Sequence, residues 1–211
     1  MSGVLINIGY LAASVLFILG LKGLTHPRTA VRGNLMGAAG MFIAVLLTLT
    51  SQRIISFEMI LLGIVIGGTI GALLAIKIQM TEMPELVALF NGFGGAASVL
   101  VAGAALFESV GGADVPMIQL TIAIAVSGLI GAVTFWGSLV AFGKLKGLVN
   151  ENAFLFSGQQ VINAVLGVIT LILTVLVVMD PSNSMAYWGL VGVASILGVL
   201  LVMPIGGADM P

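Results

Sequence analysis

Seven stretches of apolar sequence, at about 4–22, 33–50, 57–77, 84–107, 117–141, 157–179 and 185–203, divide this chain into pieces long enough to cross a bilayer. A helix needs roughly 20 mainly apolar residues to span about 30 Å of hydrocarbon, and inside that layer the backbone must satisfy its own hydrogen bonds. The expected fold is therefore an all-α integral membrane protein, a bundle of about seven transmembrane helices. Composition points the same way: 60% of the residues are apolar and only 7% charged, and the mean hydropathy of +1.25 exceeds what a water-soluble chain carries. The first stretch has no basic residue ahead of it and no small-residue cleavage pattern after it, so it reads as a retained helix rather than a signal peptide.

The connectors hold nearly all the charge, as in Lys22 to Arg32, Glu108 to Pro116, Lys144 to Asn152 and Asp180 to Ser184. None is long enough for a soluble domain, so residues 1–211 are expected to form one transmembrane domain. Alternate connectors differ sharply in basic residues: one set holds Lys22, Arg28, Arg32, Lys77, Lys144 and Lys146, and the other holds Arg53 alone. The positive-inside rule puts the richer set in the cytoplasm, the amino terminus outside and the carboxyl end cytoplasmic. With no cysteine and a single histidine the chain has neither a disulfide nor the makings of a thiolate or multi-histidine metal site. Its seven scattered basic residues form no nucleic-acid surface.

One hexapeptide occurs twice in similar form, Gly111-Gly112-Ala113-Asp114-Val115-Pro116 and Gly206-Gly207-Ala208-Asp209-Met210-Pro211, and Glu82-Met83-Pro84 echoes its end. An acid two residues before a proline suits the start of a helix, where proline loses no hydrogen bond and the helix end is positive. By this analogy another helix begins beyond Pro211, and the sequence is expected to be a piece of a longer protein. In a glycine-rich chain such an echo also arises by chance.

Three spans carry polar residues at helical spacing. Asn91, Gly95, Ser98 and Ala102 share a narrow face of the fourth, and Ser127, Gly131, Thr134 and Ser138 repeat that spacing on the fifth. On the sixth, Gln160, Asn163, Gly167, Thr170 and Thr174 fall within roughly 80° of one another at 100° per residue. Two readings fit: hydroxyls and small residues that glue helices together, or polar faces that line a hydrated path. Asn91 and Asn163 weigh toward the second, because a carboxamide is harder than a hydroxyl to satisfy on its own helix. Gly63, Gly67 and Gly71 form a small-xxx-small face suited to close helix packing.

No span has an acid, a base or a histidine near its middle, which argues against a self-sufficient ion pump. A partner would have to supply a titrating group. His26, between Lys22 and Arg28, suits a domain or headgroup contact better than a proton relay. Glu82 and Glu85 either cap the fourth helix or gather protons and meet a soluble domain.

The stretch from Met83 to Gly95, MPELVALFNGFGG, resembles the membrane part of the beta subunit of Re/Si-specific, proton-translocating NAD(P) transhydrogenase. So do Gly20 to Pro27 with Arg32-Gly33-Asn34, the segment Gly137 to Leu145, and the terminal Gly206 to Pro211. These blocks run along the chain in the family's order, while residues from about 150 to 200 match only in hydrophobic character. The resemblance implies the channel part of a bacterial inner-membrane complex that couples hydride transfer between NADH and NADP⁺ to proton movement. It implies partners too: an alpha transmembrane subunit, an NAD(H)-binding subunit, an NADP(H)-binding domain of the same native chain after further helices, and a homodimer of the whole complex.

NAD(H) and NADP(H) would then bind in partner domains, since this chain has no Gly-x-Gly-x-x-Gly loop and no alternating strand and helix pattern. By similarity, Ser138 lies in the proton pathway and Asp209 faces the NADP(H) domain as a coupling contact. Many family members have a histidine where this chain has Asn91, and asparagine cannot exchange a proton in this pH range. The resemblance therefore assigns Asn91 to orienting water or a partner's side chain. With the periodic faces it gives an expected pathway of Asn91, Ser98, Ser127, Thr134, Ser138 and Asn163, with Asp209, Glu82 and Glu85 coupling it to the soluble domain. A small secondary transporter, with Asn91 to Gly95 as a helix interruption beside a mid-membrane substrate site, is the rival reading. A purely structural membrane anchor is a third.

Overall fold

The computed structural model describes residues 3–50, 57–111 and 118–210, and every long element in them is an α-helix. These are α1 (Gly3–Leu24), α2 (Ala30–Leu49), α3 (Phe57–Lys77), α4 (Met83–Gly111), α5 (Ile118–Leu145), α6 (Gln159–Met179) and α7 (Ser184–Val202). All seven are long and apolar enough to cross a membrane. The expected spans are recovered, with α4 and α5 each longer than the apolar run that announced it. The first copy of the repeated hexapeptide falls mostly outside the described residues. Its second copy forms a 3-10 turn at Gly207–Asp209.

Local sequence sets the helix ends. Pro84 sits in the first turn of α4, and ahead of it Met80–Glu82 makes a 3-10 turn in which the Glu82 carboxylate accepts the Gln79 backbone N–H at 3.3 Å. α5 runs past residue 141 because nothing breaks it before Gly147, whose φ of +67° places it in the left-handed region. There the Leu148 N–H donates to the Gly143 carbonyl and the Gly147 N–H to the Lys144 carbonyl, the bond pair of a Schellman motif. α7 starts on Asn183, whose side chain accepts the Ala186 N–H at 3.1 Å.

The chain divides into two compact units, Met1–Ala72 and Leu73–Pro211. In the first, α1 and α2 form a tight hairpin in which a Cβ added to Gly33 would stand 2.6 Å from the Gly20 carbonyl oxygen. Tyr10 and Thr48 share a hydrogen bond of 2.8 Å across it. No residue of α3 is buried, and a Cβ at Gly63, Gly67 or Gly71 would meet nothing within 4 Å among the described residues. The close helix contact expected of that small-residue face is not made among the described residues.

In the second unit α5 is central, packing on α4, α7 and α6, while α6 also packs on α7. Burial collects where these helices meet, around Leu106, Ile124, Ala125, Val177, Tyr187 and Leu190. Tyr187 is fully buried, donates its hydroxyl to the Val99 carbonyl at 2.6 Å, and fits because Gly128 opposite has no side chain. α4 continues unbroken through Asn91–Gly95. The helix interruption that a transporter site would have needed there is absent, because backbone bonding carries straight through the glycines.

Glycines fix the spacing of α5 from both of its larger partners. A Cβ at Gly198 on α7 would lie 2.6 Å from the Val133 carbonyl oxygen and 2.9 Å from its Cα. Overpacking against backbone typically costs about 1–3 kcal/mol, more than the roughly 0.5–1 kcal/mol alanine gains over glycine inside a helix. Gly198→Ala is therefore expected to lower the thermal midpoint of the detergent-solubilised protein. Gly192→Ala, on the same helix with nothing within 4 Å, should leave it unchanged or raise it slightly.

Candidate functional site: a polar crevice between two helices

α4 and α5 come into backbone contact at Gly95 and Gly131. A Cβ on Gly95 would stand 2.6 Å from the Gly131 carbonyl oxygen, and one on Gly131 would stand 2.7 Å from that of Gly95. Such contact brings backbones together and leaves longer side chains along the edge. Beside it runs a crevice of about 520 Å³, lined by Asn91, Gly94, Ser98, Ser127 and Thr134 with apolar Phe90, Val126 and Ile130. A second cavity of about 390 Å³ shares Ser98 and Ser127 and extends the crevice past Ala102 and Ala105.

The structure thus brings together four of the six expected pathway residues, Asn91, Ser98, Ser127 and Thr134. Ser138 joins them by a bond: the Asn91 Nδ2 donates to Ser138 Oγ at 2.9 Å, across a sequence separation of 47 residues. Ser138 is itself 8% exposed, whereas Asn91 and Ser98 are exposed at the crevice mouth. Ser98 returns its hydroxyl to the Gly94 carbonyl at 3.0 Å, the usual way a helical serine satisfies itself. The lining residues include no acid, base or histidine.

Asn163 stands apart. It is on α6, lines neither cavity, and its Oδ1 is buried without a hydrogen-bond partner. The inward face of α6 also differs from the one expected. Gln160 is exposed, while Gln159 is 5% exposed and donates its Nε2 to the Leu200 carbonyl at 3.1 Å. Gln159, Asn163, Thr170 and Thr174 fit within roughly 60° at 100° per residue, a tighter arc than the one through Gln160. Thr170 and Thr174 spend their hydroxyls on the Gly167 and Thr170 carbonyls, so this face works mainly as helix packing.

The expected coupling acids lie outside the crevice. Glu82 caps its turn as described above. Glu85 Oε2 is buried with no hydrogen bond, and its compensation is a charge contact with Lys146 Nζ at 3.4 Å, between the start of α4 and the connector after α5. Asp209 is exposed in the 3-10 turn after α7. Near it is a residue that sequence reasoning counted only as a connector charge. Lys144 is 1% exposed and donates to the carbonyls of Met203 at 2.7 Å, Ile205 at 2.8 Å and Asn152 at 3.3 Å.

Seven helices long and apolar enough to cross a membrane define a multi-pass membrane protein, and its α4–α5 crevice holds one carboxamide and three hydroxyls without an ionisable lining residue. A family model described as NAD(P) transhydrogenase beta subunit matches residues 6–211, and the chain belongs to that family. Two curated relatives from Rhodospirillum rubrum, one of them from a designated strain, are both named NAD(P) transhydrogenase subunit beta. Each is 43% identical to it over 210 residues. Each match covers 96% of this chain but 44% of the relative, so the chain spans less than half the length of the curated relatives it matches.

The Asn91–Ser138 bond can be weighed by a double-mutant cycle of Asn91→Ala and Ser138→Ala. Side-chain hydrogen bonds between membrane helices average about 0.6 kcal/mol and reach about 1.7 kcal/mol. A coupling energy in that range, read from unfolding equilibria in detergent, is expected. A cycle with no coupling would show that the two groups do not support each other.

Proposed function

We propose that this chain is the proton-conducting membrane part of a complex that couples hydride transfer between NADH and NADP⁺ to proton movement across a bacterial inner membrane. Its amino terminus would be outside and its carboxyl end in the cytoplasm. The observation that carries the reading is the α4–α5 crevice, where Asn91 bonds Ser138 and Ser98, Ser127 and Thr134 continue the polar line. Family membership supplies the reaction. The relatives are named as transhydrogenase subunits, and no nucleotide-binding fold is present in the described residues, so NAD(H) and NADP(H) would bind in partner domains.

The crevice fits one stage of such a reaction. Exposed carboxamide and hydroxyl groups at hydrocarbon depth need a partner, either water or another helix. Asn91 holds no proton of its own in this pH range but can orient a water or a neighbouring imidazole or carboxyl group through its Oδ1. An alpha transmembrane subunit lying along the crevice would cover Asn91 and Ser98 and supply the titrating group. Asn163 remains a candidate for a second polar position on α6, with an orphaned acceptor to offer. On the cytoplasmic side, Asp209, Glu82 and Glu85 would meet the NADP(H)-binding domain that follows in the native chain. Contact with the NAD(H)-binding subunit and a homodimer of the whole complex complete the assembly. Proton occupancy would shift the domain contacts only if protonated and unprotonated states prefer different ones.

The decisive experiment uses the full complex in proteoliposomes supplied with NADH and an NADP⁺ analogue. Asn91→Leu should reduce proton uptake per hydride at least roughly tenfold, a coupling change of ordinary size, while hydride exchange between bound nucleotides continues. Asp209→Asn should impair coupled turnover in the same sense. Absence of nucleotide-driven proton movement in the wild type would overturn the transhydrogenase function. Solute uptake by the protein would instead favour a transporter.

A further inference from the structure

Lys144 is a cation with almost no solvent contact and no acidic partner among its described bonds. Taking an ammonium out of water is costly unless every donor is used. Here all three can be: lysine has three N–H donors, and three backbone carbonyls receive them, from Asn152, Met203 and Ile205. Two further features favour the charge. Lys144 lies in the last turn of its own helix, and Met203 is the C-cap of α7, so the partially negative ends of two helices surround it. Met203 and Ile205 flank Pro204, which has no N–H to offer.

The carbonyls that Lys144 holds belong to the strap between α7 and Asp209. The strap is anchored a second time where the Gly207 N–H donates to the Glu151 carbonyl at 2.8 Å, and the Phe154 N–H bonds the Met203 carbonyl at 3.0 Å. Within four residues of Ile205 the chain reaches Asp209, exposed on its 3-10 turn. In the other direction along α5, Ser138 is six residues away, about 9 Å at 1.5 Å per residue. One rigid helix therefore carries, at one point, the hydroxyl bonded to Asn91 and, at another, the ammonium bonded to the strap. The ammonium spends its donors on three carbonyls from two segments, so it holds the end of α5 to the strap and to the 146–158 connector at once.

We propose that Lys144 is a positioning residue that transmits movement of α5 at the Asn91–Ser138 contact to the strap 203–209, and so sets where Asp209 is presented. The inference rests on the transhydrogenase reading and names a part of its coupling machinery. It requires α5 and the strap to move together. Glycine-tight packing of α5 on α7 at Gly198 already makes those two helices one body, and Lys144 extends that body beyond the end of α7.

The absence of cysteine from this chain allows a direct test. Gly207→Cys puts a single thiol into it on the strap, half-buried against Glu151, and its labelling rate reports release of the strap in the assembled complex. Lys144→Met, which keeps the chain length and removes all three donors, is expected to speed labelling roughly tenfold. It should also lower proton uptake per hydride by a similar factor, within the usual span of coupling energies, with hydride exchange between bound nucleotides kept. Lys144→Arg, which restores charge and donors, should recover part of both. Unchanged labelling in Lys144→Met would overturn the clasp. Faster labelling with unchanged proton coupling would overturn the positioning role and leave a structural staple. If Lys144→Met does not assemble, Lys144→Gln is judged by the same two readouts. A wild-type complex that moves no protons with nucleotides sinks the transhydrogenase reading itself, an outcome separate from either result on the clasp.

Discussion

Helices in hydrocarbon gain nothing from hiding apolar surface from lipid tails, so their association depends on how closely their backbones can pack. In the second unit α5 meets α4 through Gly95 and Gly131 and meets α7 through Gly198 against Val133, in each case with backbone atoms where a side chain would otherwise stand. These contacts set the distances that everything else uses. Tyr187 reaches the Val99 carbonyl because Gly128 makes room for its ring, and the Asn91 carboxamide reaches Ser138 because the two helices are already close.

Close backbone contact also determines where polar chemistry can be. At the contact line itself there is space only for glycine and small residues, so longer polar groups are displaced to its edge. Asn91, Ser98, Ser127 and Thr134 line that edge as a crevice rather than filling the core. Elsewhere, the buried Thr121 and Thr170 and the half-buried Thr174 satisfy themselves through carbonyls of their own helices, while the buried Gln159 and Lys144 bond carbonyls of other segments. The chain thus separates polar groups that hold the bundle from polar groups that stay accessible. α4 runs unbroken past this crevice, so the helix interruption of the transporter reading is not there.

The spans were legible because a membrane helix is announced by length and hydropathy alone, without tertiary information. The crevice was legible in part for a related reason: on a continuous helix, residues at four- and seven-residue spacing must share a face, whatever packs against it. That logic located Asn91, Ser98, Ser127, Thr134 and Ser138. It failed on α6, where adjacent glutamines offered two overlapping arcs and only packing against Leu200 decides that Gln159 turns inward. The Gly63, Gly67 and Gly71 face shows the opposite limit, since a surface fit for close packing does not reveal whether its partner is in the same chain.

Lys144 was invisible for a different reason. Its partners are backbone carbonyls, two of them 59 and 61 residues away, and carbonyls leave no mark on residue identity. Sequence counting assigns such a lysine to the positive-inside tally, and the burial does not contradict that role. A cation among the carboxyl-terminal ends of two helices still lies at one end of the bundle. The same charge can therefore orient the chain during insertion and, once the helices have closed around it, fix the strap that bears Asp209. Charge in this protein is scarce enough that each basic residue at a helix end is in a position to influence both topology and contact. Lys146, paired with the half-buried Glu85, does so between α5 and α4, as Lys144 does between α5 and the strap. The two lysines stand on the same short segment, so the end of α5 is tied both to the start of α4 and to the strap that follows α7.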